Sequence, residues 1–137
     1  MKKLLVLVFV ISMALLAFHV YLFGVPKRVD ASFATSAYLK YHYCGKAIDV
    51  KMKDSDLRVL KGMLLGFSYV DSPACGFDKT VSITLTNGRK SITICPACDS
   101  CGTFRIGNTD RYLEVSDEQR DRFEAIVKKY GMTFPCV

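Results

Sequence analysis

From Leu4 to Val25 the chain runs for 22 residues without an Asp, Glu, Lys or Arg, and only Ser12, His19 and Gly24 dilute its apolar character. Lys2 and Lys3 precede the run, and Pro26, Lys27 and Arg28 close it. A membrane-spanning helix needs about 20 such residues, whereas the apolar part of a cleavable signal is about 7–15 long. The length predicts an uncleaved transmembrane helix through residues 4–25, with Phe18, Tyr21 and Phe23 at the far interface, where amphipathic rings are favoured. Val29-Asp30-Ala31 offers the alternative, a small-residue site for secretion after cleavage near Ala31. Either way, residues 30–137 are expected on the non-cytoplasmic side. The end of the run carries no Cys, so a lipoprotein anchor is not indicated. His19 falls inside the span, where an ionisable residue is a functional candidate by default; near the helix end it can also snorkel.

The chain therefore divides into a membrane segment, 1–29, and one extracytoplasmic domain, 30–137. A domain of this size buries a modest core and gains from covalent cross-links. The net charge of +6 is misleading. Lys2, Lys3, Lys27 and Arg28 flank the apolar run, and residues 30–137 hold 15 Lys and Arg against 13 Asp and Glu. No basic stripe remains to neutralise phosphates, which argues against nucleic acid as a partner.

Along the domain, residues 31–37 read as a short linker. Residues 38–43 are aromatic and strand-prone, and Cys44-Gly45-Lys46 reads as a turn. Ile48, Val50 and Met52 alternate with charged residues, as in a strand with one buried face. Asp54-Ser55-Asp56 supplies a helix N-cap with acidic first-turn charge. Leu57, Leu60, Leu64 and Phe67 then recur at helical spacing, with Gly66 placed to end the helix in a left-handed cap. Asn87-Gly88 between two alternating runs predicts a two-residue hairpin turn. Val81 would then face Ile94 and Ile83 face Ile92, with Ser and Thr on the opposite face. Residues 103–106 and 111–115 read as further strands. Ser116-Asp117-Glu118-Gln119 is a capping box, opening a helix whose apolar stripe is Phe123, Ile126, Val127 and Tyr130 and which Gly131 terminates.

The predicted fold is α+β: a single antiparallel sheet with two helices packed on one face, plus the N-terminal transmembrane helix. The Ser- and Thr-rich face is left to solvent or to binding. Four segments carry a resemblance: Asp56-Leu57-x-x-Leu60, Thr86-Asn87-Gly88, Phe104-Arg105-Ile106 and Tyr112-x-x-Val115-Ser116. Through them the chain from Asp54 onward resembles a type of small domain in exported bacterial proteins with no assigned function. The element order also resembles the TATA-binding-protein-like arrangement, which occurs in proteins that bind other macromolecules.

Six cysteines remain to be placed: Cys44, Cys75, Cys95, Cys98, Cys101 and Cys136. An even count in a small exported domain is the ordinary sign of a disulfide framework. The hairpin register sets Cys75 beside Cys98 and Cys101, so a bridge from Cys75 to one of them is expected. Cys44 and Cys136 flank the domain and are candidates for a second bridge. Cys95-Pro96-Ala97-Cys98 has the C-x-x-C form of thiol oxidoreductases, but Cys95 ends a strand rather than opening a helix, and Asp99 would disfavour a nearby thiolate. Cys75, Cys95, Cys98 and Cys101 are also a conceivable all-thiolate zinc set, and the first three positions of a ferredoxin-like run are present without the fourth. His42 has no acidic partner in register and reads as a packed or surface histidine. No phosphate loop, H-E-x-x-H or G-x-S-x-G motif occurs.

The reading is thus a membrane-anchored, disulfide-stabilised domain with a non-enzymatic binding role toward a protein or cell-envelope partner. It has no assigned catalytic, cofactor or metal residue. The alternative is thiol redox or zinc chemistry at Cys95, Cys98 and Cys101.

Overall fold

In the computed structural model, which describes residues 2–43, 45–99 and 101–133, the period-two segments pair into one antiparallel sheet. The elements in chain order are α1 (Lys2–Phe23), β1 (Lys27–Asp30), β2 (Ser36–Tyr43), β3 (Lys46–Lys51), α2 (Asp54–Met63), β4 (Leu65–Val70), β5 (Val81–Thr86), β6 (Ser91–Pro96), β7 (Thr103–Ile106), β8 (Arg111–Glu114) and α3 (Asp117–Lys128). Among the described residues the sheet has eight strands in the order β1-β4-β8-β7-β6-β5-β2-β3. The α+β class and the single sheet with α2 and α3 on one face are as the sequence predicts. Helix α1 is long and apolar enough to cross a membrane, and none of it is buried against the domain.

Alternation decides which side chains meet the helices. Ala37, Leu39 and Tyr41 of β2, Val81, Ile83 and Leu85 of β5, Ile94, Phe104 and Leu113 all point to one face and are buried there. Leu57, Leu60 and Met63 of α2 and Phe123, Ile126 and Val127 of α3 close over them. The Phe104 and Phe123 rings sit 4.9 Å apart, a tilted contact that ties α3 to the middle of the sheet. Helix α3 begins with the expected capping box: Ser116 Oγ accepts from the Gln119 amide, and Gln119 accepts from the Ser116 amide at 2.9 Å. The two helices are joined by a buried carboxylate. Asp56 accepts from Lys129 Nζ at 2.9 Å and from the Tyr130 hydroxyl at 2.7 Å, and that same hydroxyl accepts from the Lys53 amide at 2.8 Å. Burial alone would push the Asp56 carboxyl up. The Lys129 and Tyr130 bonds, with the charges of Lys129 and Lys53, outweigh it and hold the carboxyl below its ordinary range. Burial pushes the Tyr130 phenol up, and the Asp56 charge beside it adds to that.

Several expectations are corrected. The hairpin turn falls one residue later than Asn87-Gly88: Leu85 pairs with Ile92 and Ile83 with Ile94. Asn87 Oδ1 accepts from the amides of Arg89 and Lys90, and the Asn87 amide donates to the Lys90 carbonyl at 3.2 Å. That leaves Gly88, at φ +86°, as the first central residue, where only glycine is at ease. Moving the turn by one residue shifts every pair yet keeps each side chain on its predicted face.

The first domain helix stops at Met63, so Leu64 leaves the helix and Phe67 becomes a strand residue. Gly66 is not a left-handed cap. It is a β4 residue on which a Cβ would come within 3.2 Å of Leu113. The α2 N-cap is Lys53, whose side chain has no acceptor, so Asp54 and Asp56 fall in the first turn and Asp56 bonds to Lys129. Residues 31–37 are no linker: Ala31, Ala34 and Ala37 are buried, and the Ala31 amide donates to the Leu64 carbonyl. The division drawn between residues 29 and 30 falls inside β1. Strand β3 is an exposed edge with only Ile48 half-buried, because no helix reaches over it.

Two outcomes are expected from this packing. Ile94→Ala should cost about 2–5 kcal/mol, as for a buried aliphatic truncation, while Thr93→Ala on the other face should cost about 1 kcal/mol; denaturant unfolding of the two variants measures both. The folded Asp56 pKa is depressed, so its stabilisation is present above the unfolded value of about 3.9 and is lost as pH falls through the folded one. Unfolding curves of wild type and Asp56→Asn should therefore lie furthest apart near neutral pH and converge in acid.

Candidate functional site

The cysteine cluster sits where strand β6 leaves the sheet. Strand β6 turns at Pro96 into the segment 97–102, which re-enters the sheet at β7. The segment is closed by the Ala97 amide on the Thr103 carbonyl (3.1 Å) and the Thr103 amide on the Cys101 carbonyl (2.8 Å). The long connection 71–80 lies against it. Cys75 is bridged to Cys101, with Cα atoms 6.1 Å apart, so of the two partners expected for Cys75 the structure uses Cys101. The Cys98 amide donates to the Gly76 carbonyl at 2.7 Å, and the Gly76 amide to Asp99 Oδ2 at 2.8 Å. Asp99 Oδ1 accepts from the Cys101 amide at 3.3 Å. Asp99, which comes within 4.8 Å of both bridged sulfurs, thus fastens one segment to the other through backbone amides.

The stapled connection places Phe77 over the middle of the sheet. Its ring lies 5.4 Å from the Tyr112 ring and 5.5 Å from the Arg105 guanidinium carbon. Cys95, Arg105 and Tyr112 are register neighbours on β6, β7 and β8, so they form one row beneath it. The centre of the Ser- and Thr-rich face is therefore covered rather than open. Arg105 Nε and Nη2 are buried without a protein hydrogen-bond partner, and the Phe77 ring supplies the cation–π contact instead. At the entrance to β5, Asp78 accepts from the Thr80 hydroxyl and amide, and these bonds hold its carboxyl below the ordinary range.

Cys95 and Cys98 are free and buried, which departs from a framework that bridges every cysteine. They lie on different sides of the sheet. Cys98 belongs to the helix-side core, whereas Cys95 Sγ points to the Phe77 side, 3.8 Å from the Gly107 carbonyl. Strand alternation puts Cys95 opposite Ile94, and Cys98, three residues on and past the end of β6, packs into the same core as Ile94. A dithiol centre needs two thiols that meet and one that reaches solvent; these two are 3 % and 4 % exposed and face apart. Of the zinc set offered by the sequence, Cys75 and Cys101 are joined to each other, while Cys95 and Cys98 diverge. Cys44 and Cys136 lie outside the described residues.

His42 corrects the sequence reading in another way. Its Nε2 lies 2.6 Å from Asp49 Oδ2 on β3, diagonally across the hairpin from its register partner Ala47. Both side chains are exposed, on the edge of the sheet. His19 sits on α1.

Sequence reasoning missed the surface on β4. Leu65, Phe67 and Tyr69 alternate with Gly66 and Ser68, so the three large side chains stand in one row away from the helices. They are 54 %, 54 % and 43 % exposed. Arg28 and Asp30, paired at 3.3 Å on β1, flank the row from the edge. The signal was present in the large–small alternation of Leu65-Gly66-Phe67-Ser68-Tyr69, but the helical spacing of Leu60, Leu64 and Phe67 masked it.

With this geometry in hand, comparison with protein-family models, curated proteins and solved structures finds no match to the chain.

Peptide mapping without reduction should recover Cys75 linked to Cys101, and alkylation should reach Cys95 and Cys98 only after unfolding. Replacing Cys75 and Cys101 by Ser should lower stability by about 3–4 kcal/mol, the chain-entropy value for a separation of 26 residues, as read from reversible unfolding.

Proposed function

We propose that this chain is a single-pass, membrane-anchored binding domain of bacterial type, held on the extracytoplasmic side, that presents one face of its sheet to a protein partner of the cell envelope. The row Leu65, Phe67 and Tyr69 carries this reading. Contiguous exposed apolar side chains on a folded domain mark interaction surfaces, and aromatic residues beside an arginine are the usual anchors of protein interfaces. The Arg28–Asp30 pair gives the row a polar rim. The Cys75–Cys101 bridge supports an oxidising compartment.

Anchoring is supported by the way α1 meets the sheet. A helix of 22 residues rises about 33 Å, enough for a hydrocarbon core of about 30 Å. Gly24, at φ +66°, ends the helix, with its amide on the Val20 carbonyl. Arg111 then donates from Nη2 to the Val25 carbonyl at 2.7 Å and from Nη1 to the Ser68 carbonyl at 3.0 Å. Ser68 Oγ donates to the Lys27 carbonyl at 3.0 Å. Cleavage near Ala31 would remove β1 and the buried Val29 from the domain, so retention of the anchor fits the packing better than release does.

A photo-crosslinker at position 67 should give a discrete crosslinked protein in native membranes, lost when Leu65 and Tyr69 are both changed to Ser, while the same probe at Arg122 on α3 should not. Identical products from the two positions, or none from 67, would overturn the binding surface. Phe67→Ser should itself change stability by only about 0.5 kcal/mol, because the side chain is half exposed. Intact mass should retain Met1 or Lys2 at the N-terminus; a start at Ser32 would overturn anchoring.

A further inference from the structure

The helix-side face of the sheet is not fully covered. At the end where α1 joins, beyond the reach of α2 and α3, a cleft of about 400 Å³ opens. Its apolar lining is Val29, Phe33, Ile92 and Ile106. Lys27 and Arg111 stand on its rim, together with the hydroxyls of Ser91 and Thr109. Among the described residues, neither Lys27 nor Arg111 has an acidic partner. The acid that lines the cleft, Asp30, is engaged by Arg28 and by the Ser32 amide at 2.9 Å. Arg111 uses one N–H on Val25 and one on Ser68, and a guanidinium has five. The cleft thus joins an apolar interior to two uncompensated cations that keep donors free.

Its position names the occupant. No more than about 14 Å of extended chain separates Phe23 from Lys27, and Arg111 is hydrogen-bonded to Val25 itself. The rim is therefore held at the headgroup layer that flanks a hydrocarbon core about 30 Å thick. We propose that this cleft binds one anionic phospholipid of the membrane that α1 spans, its phosphate on Lys27 and Arg111 and the start of one acyl chain against Val29, Phe33, Ile92 and Ile106. The volume lies in the usual range for a ligand pocket, about 300–1,000 Å³, and a mostly apolar lining with a few placed polar groups is the usual chemistry of one. The site differs from the β4 row, which lies on the opposite face, and depends on the anchored reading alone.

The test uses the full chain in lipid nanodiscs made of phosphatidylcholine with phosphatidylglycerol as the minor component. Native mass spectrometry after release counts the lipids that stay bound. Wild type should retain one phosphatidylglycerol in preference to phosphatidylcholine. Lys27→Gln should weaken that retention about tenfold, the loss of one charge-assisted contact, and Ile106→Trp, which fills the cleft, should abolish it. Lys27→Arg should restore it. Circular dichroism and intact disulfide mapping verify that each variant is folded. Equal retention of the two lipids by wild type, or retention unchanged by Ile106→Trp, would overturn the proposal. So would displacement of the lipid by inorganic phosphate alone, which would reduce the site to an anion subsite. Loss of the wild-type chain from the discs would instead overturn the anchored reading, and this proposal with it.

Discussion

A sheet of eight strands has an apolar face to hide, and this chain has two short helices to hide it with. Seven inter-strand spacings make a surface about 34 Å wide, while helices of 10 and 12 residues are about 15 and 18 Å long. Cover is therefore scarce, and much of the structure follows from how it is placed. The two helices are pinned over the centre by Asp56, which receives Lys129 and Tyr130 from beyond α3. A carboxylate this buried is tolerable only because its lone pairs are met by a cation and a hydroxyl. Beyond the helices, β3 is largely exposed at one edge, met at Lys46 and Ile48 by the segment after α3, and the Val29–Phe33–Ile92–Ile106 cleft remains open at the end nearest α1.

The other face solves its own problem differently. Among the described residues no helix covers it, so the connection 71–80 folds over the row of Cys95, Arg105 and Tyr112, and the Cys75–Cys101 bridge keeps it in place. The cysteine run that invites a catalytic or metal reading sits at the rim of this cover. Its members are distributed by strand geometry: one bridged, one in the helix-side core, one on the opposite side next to Arg105. Phe77 reaches Tyr112 on β8, while Leu65, Phe67 and Tyr69 on the next strand stay exposed.

The join between α1 and the sheet gives the two halves of the chain a common frame. Gly24 ends the helix against Val70, at a separation that would leave a Cβ 3.1 Å from Val70 Cγ2. Arg111 then binds the chain at Val25 and β4 at Ser68. The domain thus follows the apolar helix without a flexible spacer. That is what fixes both the cleft and the β4 row relative to the helix end.

Local pattern alone determined the long apolar N-terminal helix, strands β5 to β8, the α3 capping box and the inward set Val81, Ile83, Leu85, Ile92 and Ile94. These rest on periods of 2 and 3.6 and on caps made by neighbours in sequence. Even a turn misplaced by one residue kept the faces right, because shifting a turn moves both strands together. Where contacts are made by residues far apart in the chain, the sequence was silent or misleading. Leu64 and Phe67 fit a helical stripe until β8 and β1 claim the segment as β4, and Ala31, Ala34 and Ala37 look like a linker until they are packed into the core. Asp56 looks like a first-turn acid until α3 arrives beside it, 73 residues later. The cysteine spacing brought Cys75 toward two partners, but which of them is bridged and which thiols diverge depends on the turn after Pro96. Only the tertiary structure, through pairing across the sheet and the limited reach of its helices, decided which surfaces are covered and which are left exposed.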